Sequence, residues 1–547
     1  MRYRIPIIII LVSSLLFLHS LGTVNLFDWD EINFAESARE MIVSGDYMRV
    51  QINFEPFWEK PPVFFWMQVV SMKIFGINEF AARIPNAVCG ILTLLSLFLI
   101  GRRLHGERFG IWWSLLYAGS FLPHLYFKSG IIDPWFNFFT FLGIAFLADF
   151  LRQADAERLR IGSLTWSAIF IGLAVLTKGP VALLLFMLTY AGYIIMNRGR
   201  GWLAFRYYLI WAGVFAAIVL AWFGLEIWQH GWWFVEEFIV YQIRLARTQD
   251  AGFAGFPGYT YVVLLVGCFP ASVLIFGRRR HVALDGSGDN VFRRLMVCAL
   301  MATVLVFSLV RTKVLHYSSF AYFPIGYLGA YSLIGALDGS VQIRKWQQWL
   351  ILFIGLGWGV TFTLLPLIGT HIDWLKPFLA RDKFATANLQ ADVTWGHAWM
   401  LPGLIFLLAV VVAFVRMRRE RFREAFLWLL PACIGMLQVV MTFFVPKIEM
   451  YSQHAAIEFF KSVSHEDAYA ETVGYKSYAP YYYFTVMPGN RKETKDEQWL
   501  LTADVDKPTY LVCRVDKKDR ILAEHGARLE ILYEKNGYVF MRRKPLR

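Results

Sequence analysis

The sequence is short of charge, of paired cysteine and of acidic residues, and each shortage removes a class of protein from consideration. Only 17% of the 547 residues are Asp, Glu, Lys or Arg, against about 25% in a typical soluble domain. With 57% apolar and 17% aromatic residues, a chain of this make-up in water has no way to cover its apolar surface. A water-soluble fold is excluded. Of the five cysteines, Cys89, Cys268, Cys298 and Cys433 lie in apolar stretches, where a thiol behaves as a small hydrophobe, and Cys513 stands alone in a polar one. No disulfide framework and no Cys/His spacing of a zinc site follows from them. Internal repeats and low-complexity tracts are also missing. Acids are outnumbered, 41 Asp and Glu against 54 Lys and Arg, for a net charge of +13. That excess does not mark a nucleic-acid partner, because it sits in short Arg clusters between apolar runs, as topology signals do.

What is present is a series of thirteen apolar runs, near 5–24, 82–101, 110–127, 134–151, 163–177, 180–196, 207–227, 259–277, 292–310, 317–337, 346–368, 399–415 and 425–443. Crossing about 30 Å of hydrocarbon takes ~20 apolar residues in a helix. The fifth and sixth are short and are parted only by Lys178-Gly179. Arg2/Arg4, Arg102/Arg103/Arg108, Arg152/Arg158/Arg160, Arg198/Arg200/Arg206, Arg278–Arg280, Arg344/Lys345 and Arg416–Arg423 all fall on one side of such an array. The positive-inside rule makes that side the cytoplasm, and an odd count then places the C-terminal tail outside. Residues 1–24 also resemble a secretory signal peptide, but they lack an A-x-A-like cleavage site, so an uncleaved anchor helix is expected.

The expected architecture is a polytopic α-helical membrane protein with a transmembrane domain over 1–445 and a small extracytoplasmic α/β domain over 446–547. A long outer loop, 25–81, carries juxtamembrane helices. In the tail the pattern predicts a helix over Ala455–Val463 and strands near Glu471–Tyr475 and Thr509–Arg514. A helix over Asp516–His525 follows, then a hairpin of Arg528–Tyr533 and Tyr538–Arg542 about Asn536-Gly537.

The outer loop holds the densest chemistry. Asp28, Asp30, Glu31, Glu36 and Glu40 follow the first span, with Ile32, Ala35, Ala38, Met41 and Ile42 at helical spacing. This predicts an amphipathic helix on the membrane surface with Asp30 at its N-terminus, where an aspartate caps well. Glu59-Lys60-Pro61-Pro62 holds an ammonium beside a carboxylate outside any helix. It reads as a phosphate or metal site, or as a surface ion pair at a Pro turn. Asp133, Lys178, Arg311, Lys313 and His316 lie at the outer ends of spans, against the positive-inside pattern. They suit an anionic group at the interface, or cations snorkelling to headgroups.

The runs Asp-Glu-x-x-Phe-Ala-Glu-x-Ala-Arg-Glu-Met, Glu-Lys-Pro-Pro, Phe-Ala-Ala-Arg-Ile-Pro, Leu-Thr-Lys-Gly-Pro and Arg-Thr-Lys-x-x-His-Tyr together resemble the bacterial branch of the protein mannosyltransferase superfamily, which includes the lipid A aminoarabinose transferases. The resemblance is dense over 28–90 and looser to about 330. It implies a GT-C-type fold and an inverting glycosyltransferase that takes a sugar from a polyprenyl-phosphate carrier on the extracytoplasmic face of the bacterial inner membrane. The acceptor would be a lipid A, glycan, glycolipid or protein hydroxyl. It places Asp30 on the catalytic aspartate, the candidate base for the acceptor hydroxyl, Glu59 and Lys60 on a Glu-Lys pair, and Asp133 on a second acidic position, a further catalytic candidate to orient the acceptor or assist. Lys60, Lys178, Arg311, Lys313 and Arg244 (with Arg247) become candidates for the donor phosphate, with Glu31, Glu59 and His316 in support. A polyprenyl phosphate leaves as a stable anion, so positive charge aimed at it is needed rather than a general acid. Trp58 and Trp66 are candidates to pack on a sugar ring. A divalent cation on Glu59 and Asp30 is possible under the resemblance. Two departures weaken that idea and aminoarabinose specificity: Asn33 replaces an arginine, and Phe253 a histidine. The rival reading is a transporter or flippase of a lipid-linked substrate, which would place ionisable groups nearer the bilayer midplane.

Overall fold

The computed structural model describes residues 3–57, 59–155, 160–247, 256, 258–279, 287–489 and 492–544. Among these, nine helices are long and apolar enough to cross a membrane. The protein is a polytopic helical membrane protein. The first and sixth expected runs correspond to shorter apolar helices, Arg4–Leu18 and Val181–Met196. The third and eighth are interrupted: Glu107–Ala118 is followed by Phe121–Tyr126, and Tyr259–Gly267 by Ala271–Leu274. Pro270 ends the first piece of the latter, since a proline has no amide to carry the helix ladder onward. The fifth and sixth runs are separate helices, Ile161–Lys178 and Val181–Met196. Gly179 divides them at φ 105°, a left-handed conformation that costs glycine little, and Pro180 starts the next helix.

Neighbouring spans come close where side chains are smallest. A methyl group on Gly101 would stand 2.8 Å from the Gly110 Cα, so Glu79–His105 and Glu107–Ala118 meet backbone to backbone, as small-residue contacts in membranes allow.

The tail forms a four-stranded sheet in the order Tyr469–Val473, Thr509–Arg514, Tyr538–Arg543, Leu529–Lys535. The first pair is parallel and the other two are antiparallel. The hairpin turns on Asn536 and Gly537, both at positive φ, as the twist of a two-residue turn requires. Val473, Leu511, Val539 and Met541 pack with Ile521 and Leu500 into a core of its own.

The outer-loop helix departs from expectation. It spans Asp30–Ser44, but Glu31 to Met41 are all buried, so the face that was expected to meet water is packed against protein. Its polar side, which amphipathic spacing assigns to water, is covered by the tail and by residues 51–54. Arg39 pairs with both Glu36 oxygens and donates to the Val486 carbonyl. Glu40 accepts the amides of Asn53 and Phe54. Buried charges need such partners, and each of these has them. Burial and the neighbouring Glu36 push the Glu40 carboxyl up to about 9.

Candidate active site

A cavity of about 1230 Å³ opens where the outer loop, the ends of the spans and the tail meet. Asp30, Glu59, Lys60, Asp133, Lys178, Arg244, Lys313 and His316 all line it, although they span nearly 290 positions of the chain. Of the expected residues, Arg311 stays outside; its side chain is exposed and does not line the cavity. Trp66 is likewise elsewhere, with its indole N–H donating to the Tyr47 carbonyl at 2.6 Å. Trp58, Phe253 and the Arg247 side chain fall outside the described residues.

Asp30 is the first helical residue, one position past the cap, which is Trp29. Its carboxylate side chain is 42% exposed into the cavity and lies 3.5 Å from His316 Nε2. The helix N-terminus favours its negative charge, and the exposed part of its surface remains open to a ligand. Asp28, two residues earlier, differs in kind. Burial first, and the charge of Asp30 with it, push its carboxyl up to about 6, against the Ser477 hydroxyl, the Tyr478 amide and Lys476.

The cations are held from several elements. Lys60 lies over the Tyr241 ring at 5.3 Å. Burial lowers the ammonium's pKa and Lys178 pushes the same way, while Glu59, Asp30 and Asp133 oppose. Lys178 ends its helix ion-paired to Asp133 and lies 5.3 Å from the Tyr317 ring centroid. Asp133 is 2% exposed and also accepts from the Ser319 hydroxyl at 3.4 Å. Lys313 donates to the Phe307 and Ser308 carbonyls at 2.9 Å each. This occupies two of its three N–H bonds and ties the irregular segment after Ser287–Leu309 to that helix end. Arg244 lies 5.3 Å from the Tyr241 ring centroid.

Glu31 is a support. It accepts two bonds from Arg83, at 3.1 and 2.7 Å, and the amides of Phe27 and Gly130. Arg83 also donates to the carbonyls of Leu21, Val24 and Asn25. One guanidinium thus fixes the whole approach to Asp30.

Sequence reasoning missed Arg83, Lys128, Lys476 and Tyr478. Arg83 sat in a quoted motif with no role read into it. Lys128 lines the cavity with its ammonium bonded to the His19 carbonyl at 2.7 Å, and no pattern marked it. Lys476 and Tyr478 belong to the tail, and its polar composition disguised their place in the cavity wall. Asp30 and Glu59 gather no third ligand of the kind a metal needs: among the described residues no three His, Cys, Asp or Glu side chains form a metal-binding group.

A multi-span helical fold with acidic and cationic groups drawn from loop, span ends and tail into one chamber defines a GT-C-type glycosyltransferase fold. The profile of the family described as dolichyl-phosphate-mannose-protein mannosyltransferase matches residues 59–224. An uncharacterized protein of Aquifex aeolicus is 30% identical over 319 residues, 58% of this chain and 70% of that protein. The undecaprenyl phosphate-alpha-4-amino-4-deoxy-L-arabinose arabinosyl transferase of Shewanella sediminis is 26% identical over 362 residues, 63% of this chain and 62% of the relative. ArnT from Cupriavidus metallidurans, solved bound to undecaprenyl phosphate, superposes with a TM-score of 0.76 at 18% identity and covers 98% of this chain and 97% of its own. The chain belongs to the superfamily of protein mannosyltransferases and lipid A aminoarabinose transferases. It spans 62% of the length of the Shewanella sediminis relative and 44% of a second Aquifex aeolicus protein.

Proposed function

We propose that the protein transfers a sugar from a polyprenyl-phosphate carrier to an acceptor hydroxyl, with inversion, on the extracytoplasmic face of the bacterial inner membrane. The observation that carries this reading is the cavity: a half-exposed carboxylate, Asp30, shares it with several ammonium and guanidinium groups from span ends. Lys60 and Lys178 take the donor phosphate. A half-buried lysine whose ammonium is already disfavoured gains from an arriving anion, and both stand in a site partly screened from water, where such charge is strongest. Arg244 closes on the phosphate from the side. Asp133 is a positioning residue that aims Lys178, and Lys313 chiefly holds its own segment in place. Asp30 accepts the proton of the acceptor hydroxyl as it attacks the anomeric carbon, and the carbon–oxygen bond to the phosphate breaks on the opposite face. His316, 3.5 Å away, steadies the carboxylate.

Two measurements test this. Lys60→Ala should insert normally but turn over a polyprenyl-phosphate sugar at least ~10-fold more slowly, the scale of losing a charge-assisted bond to a phosphate. Lys60→Arg should recover only part, since a planar fork replaces a compact ammonium poorly. Normal turnover in Lys60→Ala would make the residue a surface ion-pair partner. For topology, a reporter active only outside the cytoplasm should work when fused after Arg547 and fail after Arg280. Reversal at either position would overturn the thirteen-span arrangement.

A further inference from the structure

The segment that delivers Asp30, residues 25–29, has no regular secondary structure of its own, so its backbone must be satisfied from elsewhere. The tail satisfies it. The Gln453 amide bonds on both sides, donating to the Leu26 carbonyl and accepting the Asp28 amide at 3.0 Å. The Tyr483 hydroxyl accepts the Leu26 amide at 2.7 Å. The Tyr478 amide donates to Asp28 Oδ1 at 3.1 Å, and the Trp29 indole donates to the Lys476 carbonyl at 3.2 Å. Asn25 is held in turn by Glu449 at 3.0 Å and Lys461 at 2.7 Å. More than 420 positions separate these partners in the chain, yet they converge on the five residues before Asp30.

We infer that the C-terminal domain is a working part of the active site, with Gln453 and Tyr483 as positioning residues that fix residues 26–29 and so aim the carboxylate of Asp30. From the other side Arg83 holds the carbonyls of Leu21, Val24 and Asn25, so Asp30 stands at the end of a segment clamped between the spans and the tail. This rests on the reading of Asp30 as the base. A base must lie within hydrogen-bond reach of the proton it takes, and a misplacement of about 1 Å costs on the order of 100-fold. Among the described residues the hydrogen bonds of Gln453 and Tyr483 run to Leu26 and Asp28 and not to Lys60 or Lys178, so donor binding should not share the effect.

The test uses full-length protein with Gln453→Met, which keeps the length of the side chain and loses both hydrogen bonds, and with Tyr483→Phe. Trp29→Phe, which loses a single bond, serves if either variant fails to fold. Donors are polyprenyl-phosphate mannose and polyprenyl-phosphate 4-amino-4-deoxyarabinose, whichever is turned over faster, with a membrane extract as acceptor. Turnover should fall roughly 10- to 100-fold with unchanged affinity for polyprenyl phosphate. Azide, already an anion, needs no base. It attacks the anomeric carbon to give a glycosyl azide and free polyprenyl phosphate, at a rate the substitutions leave unchanged. Equal losses with azide and with hydroxyl acceptors would overturn the inference, as general damage. Full turnover in both variants beside a slow Asp30→Asn would overturn it while leaving Asp30 as the base. Full turnover in Asp30→Asn as well would instead remove the base reading.

Discussion

Asp30→Asn is expected to insert and fold normally yet transfer sugar at least ~100-fold more slowly, by the usual scale of base catalysis. The change is nearly isosteric, and an asparagine at a helix start is well tolerated. The side chain makes no capping bond that the substitution would break, since the cap position belongs to Trp29. What is lost is the lone pair that takes the hydroxyl proton, because an amide is not protonated at neutral pH. The control is azide as acceptor, which should restore turnover in Asp30→Asn toward that of the unmodified protein. A well-folded variant with full turnover on hydroxyl acceptors would make Asp30 structural.

Arg83→Met is expected to be the most damaging substitution for stability, on the order of 3–5 kcal/mol. The guanidinium is 4% exposed and Glu31 5%, so the pair is dry. Removing it leaves an uncompensated buried carboxylate and three carbonyls, those of Leu21, Val24 and Asn25, without their donor. Burial raises and the Arg83 charge lowers the Glu31 carboxyl, and the balance is downward. The arginine is what keeps that group ionised. Thermal unfolding in detergent measures the loss, and adding Glu31→Gln should restore part of it by removing the stranded charge. A loss under about 1 kcal/mol, the scale of an exposed pair, would show that the contact is solvated.

The membrane fold was legible because its signals are strong and local: the length of the apolar runs, and in the tail short apolar strands set off by turn residues. Lys178-Gly179 marked a true break between helices, and Asn536-Gly537 a true turn. The site was legible in part. Asp30, Lys60, Lys178, Arg244, Lys313 and His316 all reach the cavity, whereas Arg311 faces away. Nothing in Arg-Thr-Lys separates the inward cation from the outward one, since the segment is neither helix nor strand there. Asp133 pairs with Lys178, a contact 45 positions apart that no periodicity encodes. The amphipathic pattern of 30–44 misled for a physical reason. Polar residues mark a face that must be satisfied, and the tail and residues 51–54 satisfy it as water would. The tail itself was read as separate because its composition changes, but composition does not record where a domain docks.

The most direct measurement follows the fate of a polyprenyl-phosphate sugar with purified protein in vesicles, given a membrane extract as acceptor source. Free polyprenyl phosphate should appear in step with sugar on the acceptor, with the anomeric configuration inverted, and both should fall together in Asp30→Asn and Lys60→Ala. Movement of the intact lipid-linked sugar across the vesicle with no bond broken would contradict the account and make the protein a transporter.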